Sequence, residues 1–105
     1  MSVEGVFDVS GVAVITGGAG GFGLEIGQRC AAAGMRVALL DVVENKLRAA
    51  AESCAGDATI PVVCDVTDPA SCAAALEAVE QQWSGAAIAF LSDALPLARP
   101  LNPRP

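Results

Sequence analysis

Val12-Ala13-Val14-Ile15-Thr16-Gly17-Gly18-Ala19-Gly20-Gly21-Phe22-Gly23 is the stretch that decides how this chain is read. Val12–Ile15 is apolar throughout, which predicts a strand buried on both faces rather than a half-exposed, alternating one. Glycines follow at 17, 18, 20, 21 and 23, and then Phe22, Ile26, Cys30 and Ala33 recur at helical spacing. The order is strand, glycine turn, helix. Such a turn faces a helix N-terminus, where unpaired backbone N–H groups and the helix dipole favour a phosphate. Gly17 permits the tight turn, Gly21 lets the backbone approach a pyrophosphate, and Gly23 removes a side chain where helix meets strand.

Outward from this stretch the same rhythm repeats. Gly34 is placed to stop the first helix as a left-handed cap. Val37–Leu40 predicts a second buried strand, ending at Asp41, and a helix is expected over Glu44 to Ser53 before the Ala55-Gly56-Asp57 turn. Ile60–Cys64 predicts a third strand, with Pro61 tolerated near its start. Thr67-Asp68-Pro69 opens a third helix that runs to about Trp83 and puts Cys72, Leu76, Val79 and Trp83 on one face. Ala86–Ser92 is a candidate fourth strand. Strands alternating with helices predict an α/β protein with a parallel sheet and helices on both faces, a three-layer αβα arrangement. Four of the six prolines (Pro96, Pro100, Pro103, Pro105) then crowd the last ten residues. The expected organisation is one partial domain over residues 1–92 and an extended, disordered tail over 93–105.

Two carboxylates sharpen the phosphate reading. Asp41 ends the second strand about 20 residues beyond the glycines, where it can accept both hydroxyls of an adenosine ribose. It would repel a 2′-phosphate, and Val42 and Val43, not Arg or Lys, follow it. NAD is therefore expected over NADP. Asp65, after the third strand, is placed to accept from an adenine amino group. Singly, each has a plainer reading: glycines as turn residues, Asp41 as a cap, Asp65 as the start of a loop. Together, in strand–helix–strand context, they favour dinucleotide binding.

At these residues the chain resembles the short-chain dehydrogenase/reductases. Thr16-Gly17-Gly18-Ala19-Gly20-Gly21-Phe22-Gly23, Leu39-Leu40-Asp41 and Cys64-Asp65-Val66-Thr67 fall in the family's order over about residues 9 to 85. The resemblance implies a Rossmann-like fold in which Gly17, Gly20, Gly21, Phe22 and Gly23 line the pyrophosphate. It also implies that Asp41 binds the adenosine ribose and that Asp65 and the Val66 backbone hold the adenine. The glycines also fit the Thr-Gly-x-x-Gly-x-x-Gly spacing of the extended, epimerase-like branch, through Gly17, Gly20 and Gly23. The family's fourth strand ends in Asn-Asn-Ala-Gly, where this chain has Ser92-Asp93-Ala94-Leu95. Its chemistry uses a Ser, a Tyr and a Lys. Here Tyr is absent and the only lysine is Lys46, on a helix expected to lie outside. The expectation is the N-terminal, NAD-binding part of a short-chain dehydrogenase/reductase, cut after about the fourth strand and without catalytic residues of its own.

Composition sets further bounds. Net charge is −6, with 12 acidic and 6 basic residues and no basic patch, which excludes nucleic acid as an expected partner. The longest strictly apolar run, Ala86 to Leu91, is far below a membrane span. With acidic residues and no Lys or Arg before Arg29, a cytoplasmic location is expected. Cys30, Cys54, Cys64 and Cys72 form no C-x-x-C pair and have no His beside them, so they read as reduced thiols in the core rather than a metal site. The resemblance also implies that the first and fourth strands lie centrally in the complete sheet, so a chain cut after the fourth leaves an apolar edge uncovered and self-association is expected. A second reading is a non-catalytic module that binds NAD or a protein partner, with Pro100-Leu101-Asn102-Pro103 as a PxxP segment.

Overall fold

The computed structural model describes residues 11–84 and, as backbone, 88–92; strands and helices alternate without exception along them. They are β1 (Val12–Thr16), α1 (Gly21–Ala32), β2 (Arg36–Asp41), α2 (Glu44–Glu52), β3 (Thr59–Val63), α3 (Pro69–Gln82) and β4 (Ile88–Ser92). All pairings are parallel and the sheet order is β3-β2-β1-β4. Val12 faces Arg36 of β2 on one side and Ile88 of β4 on the other, and Val37 of β2 faces Thr59 of β3. The chain thus winds outward from β1 to β3 and returns to the far side of β1. The order reverses between β1 and β4, and at such a switch point the carboxyl ends of the strands leave a crevice.

The apolar runs divide between two faces. Ala13, Ile15, Val37 and Leu39 point to one side and pack with Cys30 and Met35 near the end of α1 and with Leu47, Ala50 and Cys54 of α2 and its end. Val12, Val14, Ala38 and Leu40 point to the other and pack with Cys64 and with Ala75 and Val79 of α3. Both β1 and β2 are therefore buried on both faces, which is why their sequences are continuously apolar. The expected three-layer αβα arrangement follows directly. β3 is less enclosed: Pro61 and Val63 are exposed, and the strand lies one residue earlier than its apolar run suggests, leaving Cys64 just beyond its end but buried.

Local signals set the helix ends. Gly34 has φ 93; its N–H donates to the Ala31 carbonyl at 3.0 Å, and the Met35 N–H donates to Cys30 at 3.0 Å. This is a Schellman closure, with Met35 folded back into the same core as Cys30. Asp68 caps α3, accepting from the Ala70 N–H at 3.0 Å, and Pro69 occupies the first helical position. Cys72, Ala75, Val79 and Trp83 of α3 and its end pack toward the sheet. On α1 the buried stripe is Gly23, Gly27 and Cys30, and the expected member Phe22 is 71% exposed. The glycines take the sheet-facing positions because a closely approaching helix leaves no room for large side chains. All four cysteines are free thiols, three buried and Cys72 partly so. The Pro-rich segment 93–105 and the departures at Asp93, Ala94 and Leu95 lie outside the described residues, as does the side chain of Ser92.

Candidate functional site

The loop between β1 and α1 stands at the carboxyl edge of the sheet, beside the switch point. Two of its glycines have positive φ, Gly17 at 69 and Gly21 at 60, a region costly for other residues. Gly23 is constrained differently: a Cβ there would run into the Gly17 carbonyl oxygen. Gly20 has no such requirement, since its backbone is extended and a Cβ would meet nothing within 4 Å. A Cβ on Gly18 would come within 2.9 Å of the Leu39 Cβ, so the glycine positions that the geometry demands are 17, 18, 21 and 23, which include the Gly-x-x-x-Gly-x-Gly spacing.

Asp41 ties this loop to β2. One carboxylate oxygen accepts from the Ala19 N–H at 3.1 Å and the other from the Val42 N–H at 2.7 Å. The backbone reinforces the tie, because the Gly18 N–H donates to the Leu40 carbonyl at 2.9 Å. Between loop and strand lies a cleft of about 410 Å³. The loop supplies Gly17, Ala19, Gly20 and Gly21; opposite them stand Asp41, Val43 and Lys46. That volume falls within the range of small-molecule and cofactor sites, roughly 300–1,000 Å³.

The structure therefore brings Gly17, Gly20, Gly21 and Asp41 to one cleft. Gly23 lies behind the loop as a packing position, and Phe22 is exposed rather than part of the lining. Asp65 and Val66 stand apart from this lining, exposed after β3. Asp65 accepts from the Thr67 hydroxyl at 2.6 Å and the Thr67 N–H at 3.0 Å, which holds its carboxyl below the usual range; its own N–H donates to the Ser71 hydroxyl at 2.9 Å. Its carboxylate closes a turn and leaves one oxygen for another donor. Val42, Val43, Val63 and Val66 are exposed at and just beyond the carboxyl ends of β2 and β3, an apolar rim of which Val43 lines the cleft.

Lys46 is exposed on α2, the outer helix expected for it; because α2 starts only three residues after Asp41, its first turn also abuts the cleft. The short interval between Asp41 and Glu44 was the available signal.

A doubly wound parallel sheet with a glycine loop and an acidic strand end at its switch point defines the nucleotide-binding α/β class. Within that class the chain belongs to the short chain dehydrogenase family, whose model matches residues 11–91. It is 54% identical over 56 residues to "Uncharacterized oxidoreductase Mb1385" of Mycobacterium bovis (strain ATCC BAA-935 / AF2122/97), a match covering 52% of this chain and 23% of that protein. It also superimposes on the crystal structure of 3-ketoacyl-(acyl-carrier-protein) reductase from Brucella melitensis complexed with NADH. That match has TM-score 0.70 and 31% identity and covers 77% of this chain and 32% of the reductase. Actinorhodin polyketide ketoreductase with NADPH matches at TM-score 0.74 and 27% identity, over 89% of this chain and 34% of that one. The chain thus spans about a third of the length of these solved structures. The fold is Rossmann-like, and those two neighbours are complexes with NADH and NADPH respectively. Among the described residues no helix is long and apolar enough to cross a membrane.

Proposed function

We propose that this chain is the NAD-binding part of a short-chain oxidoreductase that, as a complete protein, transfers hydride between NAD(H) and an alcohol or carbonyl substrate. The observation that carries the reading is the joining of the glycine loop and the Asp41 carboxylate across one cleft at the switch point of the sheet. The residues fit the cofactor. Gly17, Gly20 and Gly21 present backbone without side chains where a pyrophosphate would lie, with Phe22 and Gly23 completing the loop and opening α1. Asp41 accepts the ribose hydroxyls, and Asp65 with the Val66 backbone takes the adenine beside the apolar rim. Bound there, the nicotinamide would supply or accept the hydride.

This chain's own residues bind and orient; none serves the proton. Transfer to a carbonyl needs an acid at the developing alkoxide. With Tyr and His both absent and one lysine committed to the adenosine side, these residues alone are not expected to turn over substrate. The spacing favours the short over the extended, epimerase-like branch, because Gly21 and not Gly20 is the position with positive φ. Selectivity for NAD rests on the Asp41 charge, and a cytoplasmic location remains part of the proposal.

Calorimetric titration of the chain with NAD and NADP tests the reading. Saturable NAD binding, weaker for NADP, is the expected result. No binding of either dinucleotide overturns it.

A further inference from the structure

Cys64 and Cys72 stand at the two ends of the turn that links β3 to α3, and the function proposed above uses neither thiol. Cys64 is fixed on the sheet: its N–H donates to the Asp41 carbonyl at 2.9 Å and its side chain is buried with Ala75 and Val79. Cys72 lies in the first turn of α3, partly buried, and packs against the same core. Its thiol donates to the carbonyls of Asp65 and Val66, at 3.8 and 3.7 Å, so it points back at the residues that directly follow Cys64. The two thiols lie within hydrogen-bond reach of each other. Burial is the main influence pushing the Cys64 thiol up; the Ser71 hydroxyl draws it back, and the neighbouring Cys72 thiol raises it again. Ser71 also accepts from the Asp65 N–H at 2.9 Å, which clasps the start of the helix to the strand end. The turn is thus closed before any covalent bond forms, and bridging ends that already meet adds little ordering cost.

We infer that Cys64 and Cys72 form a reversible disulfide within the chain on exposure to a peroxide, with Cys72 the thiol that meets the oxidant and Cys64 the one that resolves it. The Cys72 thiolate attacks one peroxide oxygen and the O–O bond breaks. The departing hydroxide takes up the proton that the thiol gave up and leaves as water, and Cys72 becomes a sulfenic acid. The Cys64 sulfur then attacks the Cys72 sulfur, the S–O bond breaks, and hydroxide leaves as water with the Cys64 proton. Two thiols are oxidised to one disulfide and the peroxide is reduced to two waters. A dithiol restores both by exchange. Cys30 and Cys54 share the opposite core, but both are buried, so neither offers the oxidant a first sulfur.

The test treats the folded chain with hydrogen peroxide, unfolds it in an alkylating agent and cuts after Asp and Glu. Cuts at Asp41, Asp57 and Asp65 put the four cysteines on four peptides. Two of the four thiols should be lost, with the Cys64 and Cys72 peptides joined and Cys30 and Cys54 alkylated; dithiothreitol should return all four. C72S should leave Cys64 fully alkylated. C64A should stop at a Cys72 sulfenic acid that dimedone traps, and both variants should keep the wild-type circular dichroism spectrum. Four free thiols after peroxide, or a joined pair that includes Cys30 or Cys54, overturns the inference. So does loss of the Cys64 thiol in C72S, or a link between two chains seen as a dimer on a non-reducing gel.

Discussion

The carboxylate of Asp41 holds two backbone N–H groups and faces the cleft proposed for the ribose, so removing it acts twice. Asp41→Ala deletes the tie to Ala19 and the ribose acceptor together, and should weaken NAD about tenfold or more, one to two charged hydrogen bonds. Asp41→Asn keeps an oxygen for the Ala19 N–H but loses the charge and the acceptor for the Val42 N–H, and should still bind NAD better than the alanine variant. Calorimetry separates the two; equal affinities would show that the loop tie contributes nothing to binding. The glycines make a second contrast. Gly23→Ala drives a methyl against the Gly17 carbonyl, and should cost about 1–3 kcal/mol of stability along with NAD binding. Gly20→Ala meets open space and should leave the urea midpoint unchanged.

Single elements end where their caps put them, and the caps can be removed one at a time. Asp68→Ala leaves the Ala70 N–H of α3 without its acceptor and should lower stability by about 1 kcal/mol. Gly34→Ala asks an alanine to hold φ 93 at the end of α1, and should cost about 1–2 kcal/mol. Urea denaturation with an unchanged slope is the measurement for both. Caps of this kind are readable beforehand because their chemistry is local: Asp68-Pro69 and Gly34 announced their roles in the sequence. So did β1 and β2, whose unbroken apolar runs mean burial on two faces. Phe22 was misread because an apolar stripe counts large side chains, whereas the face of α1 nearest the sheet is built from Gly23 and Gly27. Asp41 and the loop glycines were legible as a candidate site through their spacing from a strand end. Lys46 was not, because its place in the cleft depends on how soon α2 turns after β2. Nor could sequence show that Asp65 closes a turn with Thr67, which is a matter of side-chain direction.

Across the whole molecule, the two cores share one feature: buried thiols stand in for small apolar side chains on both sides of the sheet. Cys30 and Cys54 lie in the core under α1 and α2, and Cys64 lies in the core under α3. Burial pushes all three thiols up, and charge interaction with Cys54 adds to the effect at Cys30. An unfolded thiol ionises near pH 8.5. Above that pH the unfolded chain releases protons that the folded one retains, so it binds fewer and stability falls as pH rises. The contribution is complete below about pH 8.5 and is lost as pH climbs through the raised folded values. Asp65 works at the opposite end. Its hydrogen bonds with Thr67 hold its carboxyl low, so its contribution is present above the unfolded carboxylate range near pH 3.9 and disappears as pH falls through the lower folded value. Urea midpoints measured from pH 3 to pH 10.5 should therefore form a plateau with both limbs descending, the alkaline limb the steeper because three groups feed it. Cys64→Ala should shallow that limb without moving the acid one, and Thr67→Ala should do the reverse. An alkaline limb equally steep after Cys64→Ala would place the loss at Cys30 and Cys54 in the other core, and a shallower limb in Cys30→Ala would then confirm that assignment.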